Sequence, residues 1–340
     1  MDSVARLDSG KRRELFTETA ARMRLLPALI EKDFWVCWTL KQLFAIPRFK
    51  THLLFKGGTT LSKIFGVIER FSEDIDLAVD WEMLGFIGER DPQGDLSKAK
   101  RNKLLSEMLE ACKHYIASEF TDTLRERITA KLPVGMDWTL EVDPADPHTV
   151  NFHYPGTTEA SDYASPAVRL DLGTHAEFIP NDRYVIKPYA AEHFPGVFEE
   201  ADCPVWAIQA ERTFWEKATI LHQEHFRTAE HAAPVRYSRQ YYDVFRMAER
   251  DDIRKAALSD PDLLARVVRH KMRFFPRAWA RYDLAVPDTI ELMPSADWTD
   301  YLRIDYASMQ EMLFGKTPSF DEILAGLRDL EGSIRTMKSV

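Results

Sequence analysis

A strand–turn–helix–strand pattern in the first quarter of the chain most narrowly limits the folds available to it. Residues 52–56 form a short apolar run that stops at a twin glycine, residues 57–58. The glycines predict a tight turn, and a helix is expected to follow, with Thr59 as its N-cap and Gly66 as its C-terminal stop. Residues 74–80 then alternate aspartates with apolar residues, which is typical of a half-buried strand.

The paired aspartates of this second strand predict a metal site. Asp74 and Asp76 are two residues apart, so in a strand they project from the same face. Two ionised carboxylates that close repel each other unless a cation lies between them. Oxygen ligands favour Mg²⁺, with Mn²⁺ as the alternative ion, and Mg²⁺ completes its coordination with water and substrate phosphate. Two solvated aspartates on an edge strand are the structural alternative.

The twin glycine gives this metal prediction its context. Backbone N–H groups in such a turn can face an anion, although a tight turn also needs glycine for steric reasons alone. The sequence does not match the GxxxxGK[ST] phosphate loop. What points to a nucleotide is the order: a turn able to hold phosphate, one helix, and a strand with two metal ligands.

The rest of the chain predicts an α/β (α+β) fold in two parts. A helical pair broken near Pro27 precedes the glycine turn, and a long helical segment covers residues 96–131. Residues 137–154 predict a hairpin, and residues 167–173 a further strand. Residues 205–340 carry mainly helical patterns. We therefore expect an N-terminal domain with a mixed β-sheet and N-terminal helices over residues 1–198, and a helical domain over residues 199–340 that contributes to the nucleotide site.

Composition limits the partners and the compartment. The formal net charge of −9, from 45 basic and 54 acidic residues, argues against nonspecific coating of nucleic acid, but leaves residues 98–103 as a basic strip or a solvated helix face. No apolar run approaches the roughly 20 residues of a membrane helix, and residues 1–16 lack the apolar core of a secretory signal. Three widely spaced cysteines fit neither a disulfide framework nor a zinc site. We expect a soluble, cytoplasmic protein.

Several blocks of the sequence resemble the AbiEii/AbiGii toxin-type nucleotidyltransferases, members of the DNA polymerase β-like nucleotidyltransferase superfamily. The family pattern KGGTxLxK stands at residues 56–63 and RxSxDIDL at residues 70–77. The resemblance extends to residues 30–44, 211–222 and 236–245, and so spans most of the chain.

The resemblance implies a mixed sheet whose glycine turn holds a nucleoside triphosphate and whose paired aspartates bind magnesium. It also implies a third acidic residue on a neighbouring strand. Asp171 is the prediction, because it lies between the apolar Leu170 and Leu172 and points to the other face. Glu141 and Asp143 in the hairpin are alternatives.

Two further residues follow from the family's motifs. Lys217 resembles the lysine that meets the triphosphate, and Asp243 the acidic residue of the last motif. Each residue also has a structural alternative. Lys217 would then be a surface lysine of an amphipathic helix, and Asp243 would pair with Arg239, four residues earlier in the sequence. The predicted metal-binding and catalytic residues are Asp74, Asp76 and Asp171, and the predicted nucleotide-binding residues are Gly57, Gly58, Thr59, Lys217 and Asp243.

The activity implied by the resemblance is transfer of a nucleoside monophosphate from an NTP to an acceptor hydroxyl. The implied acceptor is RNA, including the 3′ end of tRNA, and the implied partner is a separately encoded antitoxin. A small-molecule nucleotidyltransferase of the aminoglycoside type, or an inactive member that binds RNA or protein, remains open. Neither charge nor spacing assigns a role to residues 31–33, a Glu-Lys-Asp run within one of the resembling blocks.

Overall fold

Seven strands form one sheet in the computed structural model, within the described residues 1–72, 74–159, 165–228, 230–231 and 234–337. The strands are β1 (Leu53–Lys56), β2 (Ile75–Val79), β3 (Thr139–Val142), β4 (Thr149–His153), β5 (Ala167–Gly173), β6 (Asn181–Ile186) and β7 (Cys203–Ile208). In the order β3-β4-β5-β2-β1-β7-β6, β2 pairs parallel with β5 and β1 parallel with β7, whereas the other neighbours are antiparallel. The predicted mixed sheet is therefore confirmed.

Helices precede, interrupt and follow this sheet. They are α1 (Asp2–Ala5), α2 (Ser9–Met23), α3 (Pro27–Phe44), α4 (Pro47–His52), α5 (Gly58–Lys63), α6 (Lys98–Tyr115), α7 (Thr121–Thr129), α8 (Tyr189–His193), α9 (Ala210–His225), α10 (Ser238–Glu249), α11 (Asp251–Ser259), α12 (Pro261–Phe274), α13 (Ala296–Ser308) and α14 (Phe320–Arg335). A π-helical turn, Ile116–Phe120, joins α6 to α7, so the predicted long helical segment is confirmed with one local irregularity.

By its internal contacts the chain divides into two units. The first consists of Met1–Ile64 and Ser72–Ile208, and the second of Phe65–Phe71 and Gln209–Val340. The division expected from the sequence falls after residue 198, ahead of β7, whereas β7 pairs with β1 and β6 and so completes the sheet of the first unit. The short segment 65–71, between α5 and β2, belongs to the second unit.

The main core of the first unit forms on one side of the sheet. A smaller apolar cluster, separate from it, consists of Leu54, Ala78 and Ile208. Pro27 begins α3, and Arg24, with a φ of 57°, ends α2, so the predicted helical pair is confirmed. Helix α3 packs on β5 and β7 and buries Trp35 and Trp38 completely. The apolar residues of β2, such as Leu77, join this core. Alternation along the strand turns Asp76 to the opposite face.

The second unit is built largely from helices. Helix α10 packs against α9, α11, α13 and α14 and buries Tyr241, Val244 and Met247, which recur at helical spacing. Gly326 allows α14 to approach α10 closely, because a Cβ there would lie 2.5 Å from the ring of Phe245.

No helix in the described part of the chain combines the length and the hydropathy needed to cross a membrane.

Candidate functional site

The turn between β1 and α5 brings backbone against one of the predicted metal ligands. Gly57 has a φ of 84°, a conformation that favours glycine, and takes the N-cap position of the six-residue helix α5. A Cβ built on Gly57 would lie 1.9 Å from Oδ2 of Asp76. Glycine is therefore required here for its conformation and for its close approach to the carboxylate.

Thr59 has a different role from the N-cap expected from the sequence, and that expectation is wrong. It lies inside α5, and its Oγ1 donates a hydrogen bond of 2.6 Å to the backbone carbonyl of Asp74. Its Oγ1 also lies 3.0 Å from the hydroxyl of Ser72. The threonine side chain thus fixes the start of β2 relative to the glycine turn.

Substituting Gly57 with alanine is expected to lower both stability and activity, because the new methyl group would displace the Asp76 carboxylate. The matched control is Gly135→Ala: Gly135 has the same φ of 84°, but a Cβ there meets nothing within 4 Å. The control introduces a Cβ at the same positive φ without the contact, and backbone strain of this kind costs on the order of 1–3 kcal/mol. Thermal denaturation and nucleotide-transfer assays compare the two variants. Equal losses in both would show that contact with Asp76 has no effect.

The predicted carboxylates meet on neighbouring strands. Asp76 in β2 and Asp171 in β5 are direct partners in the parallel ladder, so their side chains lie side by side on the same face. Asp74 directly precedes β2 and is two residues from Asp76. Lys56 in β1 faces Asp76 from the other side. The structure thus brings the three aspartates to one polar region of the sheet, next to the glycine turn.

Arg169, which is not among the site residues predicted from the sequence, is bound to Asp171. Its Nε donates to Oδ1 of Asp171 at 3.0 Å and lies 3.3 Å from Oδ2. The hydroxyl of Thr149 donates to the same Oδ1 at 2.6 Å. Burial lowers the pKa of Arg169, but the charges of Asp171 and Asp74 outweigh this effect and raise it. The available signal was spacing, because Arg169 and Asp171 share one face of β5.

The predicted acidic residues do not form a closed metal-binding cage. No group of three or more histidine, cysteine, aspartate or glutamate side chains is arranged to hold a metal within the residues that the structure describes. Asp171 is turned to Arg169 and Thr149. Mg²⁺ is commonly held by one or two protein carboxylates together with substrate phosphate. Asp74 and Asp76 could supply the carboxylates, and the glycine turn beside them could hold the phosphate.

Glu141 and Asp143, the alternative acidic residues of the hairpin, do not lie beside Asp76 in the sheet as Asp171 does. Glu141 lies in β3, at the edge of the sheet and separated from β5 by β4. Asp143 accepts hydrogen bonds from the side chain of Asn151 and from the backbone of Ala145, and these bonds hold its pKa below the usual range. Asp171 remains the predicted third acidic residue.

Lys217 and Asp243 are neighbours in the second unit. Nζ of Lys217 lies 2.8 Å from Oδ2 of Asp243, and Arg70 binds both oxygens of the same carboxylate at 2.7 and 2.8 Å. Lys217 also donates to the side chain of Gln240 at 2.8 Å. Burial raises the pKa of Asp243, but Arg70 and Lys217 outweigh it and lower the value to about 2; burial lowers the pKa of Lys217. Their nucleotide-binding role remains a prediction.

The segment 65–71 is held in the second unit by more than this carboxylate. The backbone N–H of Glu69 donates to the hydroxyl of Tyr242 at 3.0 Å, and the N–H of Phe71 donates to the carbonyl of Met312 at 2.9 Å. Arg70 belongs to the RxSxDIDL pattern, so this block contains both an anchor in the second unit and the paired aspartates.

The run at residues 31–33 has structural roles in the first unit. The Glu31 carboxylate accepts hydrogen bonds from the backbone and side chains of Thr157 and Thr158. Asp33 forms a buried ion pair of 2.7 Å with Lys63, at the end of the helix that follows the glycine turn. Both contacts join residues far apart in sequence, so local spacing carried no signal for them.

Comparisons with known proteins add a family relationship to this geometry. A family model described as "Nucleotidyl transferase AbiEii toxin, Type IV TA system" matches residues 38–326. Solved structures similar to the chain include MenT4, a nucleotidyltransferase toxin from Mycobacterium tuberculosis H37Rv, at 15% identity and a TM-score of 0.39, covering 96% of this chain and 99% of that one. No curated protein matches. The family match spans all eight predicted site residues.

Proposed function

The chain belongs to the AbiEii family of nucleotidyltransferase toxins from type IV toxin–antitoxin systems, and on that premise we propose that it transfers a nucleoside monophosphate from an NTP to RNA. Pyrophosphate leaves, and the acceptor is a hydroxyl at the 3′ end of tRNA. The family also implies an antitoxin as protein partner.

One observation carries the proposal for the reaction itself. The glycine turn lies against the carboxylate of Asp76, which faces Asp171 across the β2–β5 pair. A turn able to bind phosphate therefore adjoins oxygens able to bind the cation that accompanies phosphate. Such adjacency suits phosphoryl chemistry, in which catalysis is mainly positioning and neutralisation of charge.

Residues of the glycine turn and of β2 would bind the phosphates and the metal. Asp74 and Asp76 would bind Mg²⁺ or Mn²⁺, which when bound neutralises charge developing on phosphate oxygens. Backbone N–H groups of Gly57, Gly58 and Thr59 would hold the phosphates for in-line attack. The hydroxyl of Thr59 would keep Asp74 in register with that turn, as its hydrogen bond to the Asp74 carbonyl suggests.

Asp171 would add a further oxygen ligand for the metal and would accept the proton of the attacking hydroxyl. It is one third exposed and adjoins Asp76 in the ladder, so an acceptor can reach it from the polar face. Lys217 is the proposed counter-charge for the departing pyrophosphate, a role that rests on the family motif. Asp243 would orient Lys217 through their ion pair.

RNA as acceptor requires a basic surface on an acidic protein. Lys98, Lys100 and Lys103 are exposed in the first turns of α6 and form such a strip. Two arginines further along the chain contribute less, because Arg125 and Arg127 donate hydrogen bonds within the first unit. If the strip binds phosphate, affinity for RNA should fall steeply as the salt concentration rises. A plot of the logarithm of affinity against the logarithm of salt concentration should have a negative slope close in size to the number of lysines involved.

Incubation of the purified protein with each labelled NTP, total RNA and either Mg²⁺ or EDTA tests the proposal. Label is expected on tRNA with Mg²⁺, not with EDTA, and less as salt rises. Label found only on small solutes would replace RNA with a small-molecule acceptor. No transfer from any NTP, together with no binding of Mg-NTP, would identify an inactive member of the family.

A further inference from the structure

Arg169 is the cation that the structure places on the predicted third acidic residue. Both oxygens of Asp171 lie within 3.3 Å of the Arg169 Nε, and an Nη of Arg169 lies 3.2 Å from the hydroxyl of Thr149. The ladder explains this grouping: Arg169 and Asp171 share a face of β5, and Thr149 of β4 is the direct partner of Asp171.

The ion pair between Arg169 and Asp171 can open at little energetic cost. The side chains of Arg169 and Asp171 are 43% and 33% exposed, so the guanidinium can be rehydrated when it leaves the carboxylate. Ion pairs this exposed contribute little to stability. A second carboxylate, Asp146, lies 3.8 Å from Arg169 and provides another partner on the same side. The arginine can therefore leave Asp171 without becoming a buried, unpaired charge.

We propose that Arg169 is a positioning residue that acts as a resident counter-cation: it binds Asp171 in the nucleotide-free protein and gives up that carboxylate when a divalent metal enters with the NTP. The proposal deepens the proposed function and rests on it. Arg169 would weaken metal binding until triphosphate adds its own negative charge, so that metal and nucleotide bind together.

Binding of Mn²⁺ without nucleotide tests this directly, measured by the loss of the free-ion EPR signal. Arg169→Met is expected to bind Mn²⁺ about tenfold more tightly than the unsubstituted protein, because a competing positive charge is gone. Arg169→Lys keeps the charge and should stay near the unsubstituted value. Arg183→Met, in the exposed edge strand β6, is the matched control and should change nothing.

Tighter metal binding is a readout that simple destabilisation of the sheet would not give. The gain should disappear in an Asp171→Asn background, because the arginine acts through that carboxylate. Unchanged or weaker Mn²⁺ binding by Arg169→Met would overturn the proposal. Should that variant not fold, a crystal of the unsubstituted protein with Mn²⁺ and NTP decides instead: the Arg169–Asp171 pair is expected to be open, and an intact pair would contradict the proposal.

Asp76→Asn separates this inference from the proposed function. If Asp76→Asn abolishes Mn²⁺ binding but Arg169→Met has no effect, the metal site stands and the role of Arg169 is wrong. If Arg169→Met tightens Mn²⁺ binding but no NTP is ever consumed, the counter-cation stands and the proposed transfer is wrong.

Discussion

Asp76→Asn is expected to reduce nucleotide transfer by at least about a hundredfold while leaving the protein folded. Removing a single group that stabilises charge in the transition state typically lowers the reaction rate by this factor. The amide keeps the size of the carboxylate, so it still fits against Gly57, but it is a weaker ligand for a hard cation. Transfer of labelled nucleotide to tRNA measures the effect.

The thermal stability of Asp76→Asn is also predicted. Removing one of several clustered carboxylates relieves repulsion, so the melting temperature of Asp76→Asn should be equal to or above that of the unsubstituted protein. Asp182→Asn, an exposed aspartate in β6, is the matched control and should keep full activity. An Asp76→Asn variant that transfers nucleotide at the normal rate would remove Asp76 from the site.

Asp243→Asn is expected to destabilise the second unit by about 3–5 kcal/mol. The substitution leaves Arg70 and Lys217 in a buried environment without their shared anion, and breaking a buried pair in this way costs energy of that order. Denaturant unfolding followed by tryptophan fluorescence gives the free energy of unfolding.

A second arginine–aspartate pair in the same unit supplies a matched control. Arg250 binds Asp252 with the same two-fold geometry, at 3.0 and 2.8 Å, but on the surface. Asp252→Asn should therefore change stability far less than Asp243→Asn. Comparable unfolding midpoints for the two variants would contradict the role assigned to the buried network.

The pH dependence of unfolding checks the same network from another side. The pKa of Asp243 falls from 3.8 to about 2 on folding, so its contribution is present above pH 3.8 and is lost as the pH falls towards 2. The unsubstituted protein should lose stability across this window more steeply than Asp243→Asn, in which the group is absent. Parallel pH profiles would show that Asp243 is not held as a strong acid.

Regular patterns along the chain predicted much of the first unit. Alternation in β2 and β5 was enough to turn Asp76 and Asp171 to one face, and the hairpin of β3 and β4 followed from two alternating runs around a turn. The glycine turn was predicted correctly in place, but its N-cap was not, because the close contact of Gly57 with Asp76 is made across strands and carries no local signal.

Contacts between distant residues explain what the sequence could not predict. Nothing near Asp243 indicates that Arg70, 173 positions away, is its partner. The same holds for Glu31 with Thr157 and for the return of residues 65–71 to the second unit. Alternation along β5 placed Arg169 on the same polar face as Asp171, but the contact between the two became evident only from the side-chain geometry.

A crystal structure of the chain with Mg²⁺ and a nonhydrolysable triphosphate, tried for each of the four bases, tests the central claim most directly. We expect an ion bound by oxygens of Asp74 and Asp76, with phosphate oxygens at the backbone N–H groups of Gly57 and Gly58. A triphosphate bound elsewhere, or an ion with neither aspartate among its ligands, would contradict it.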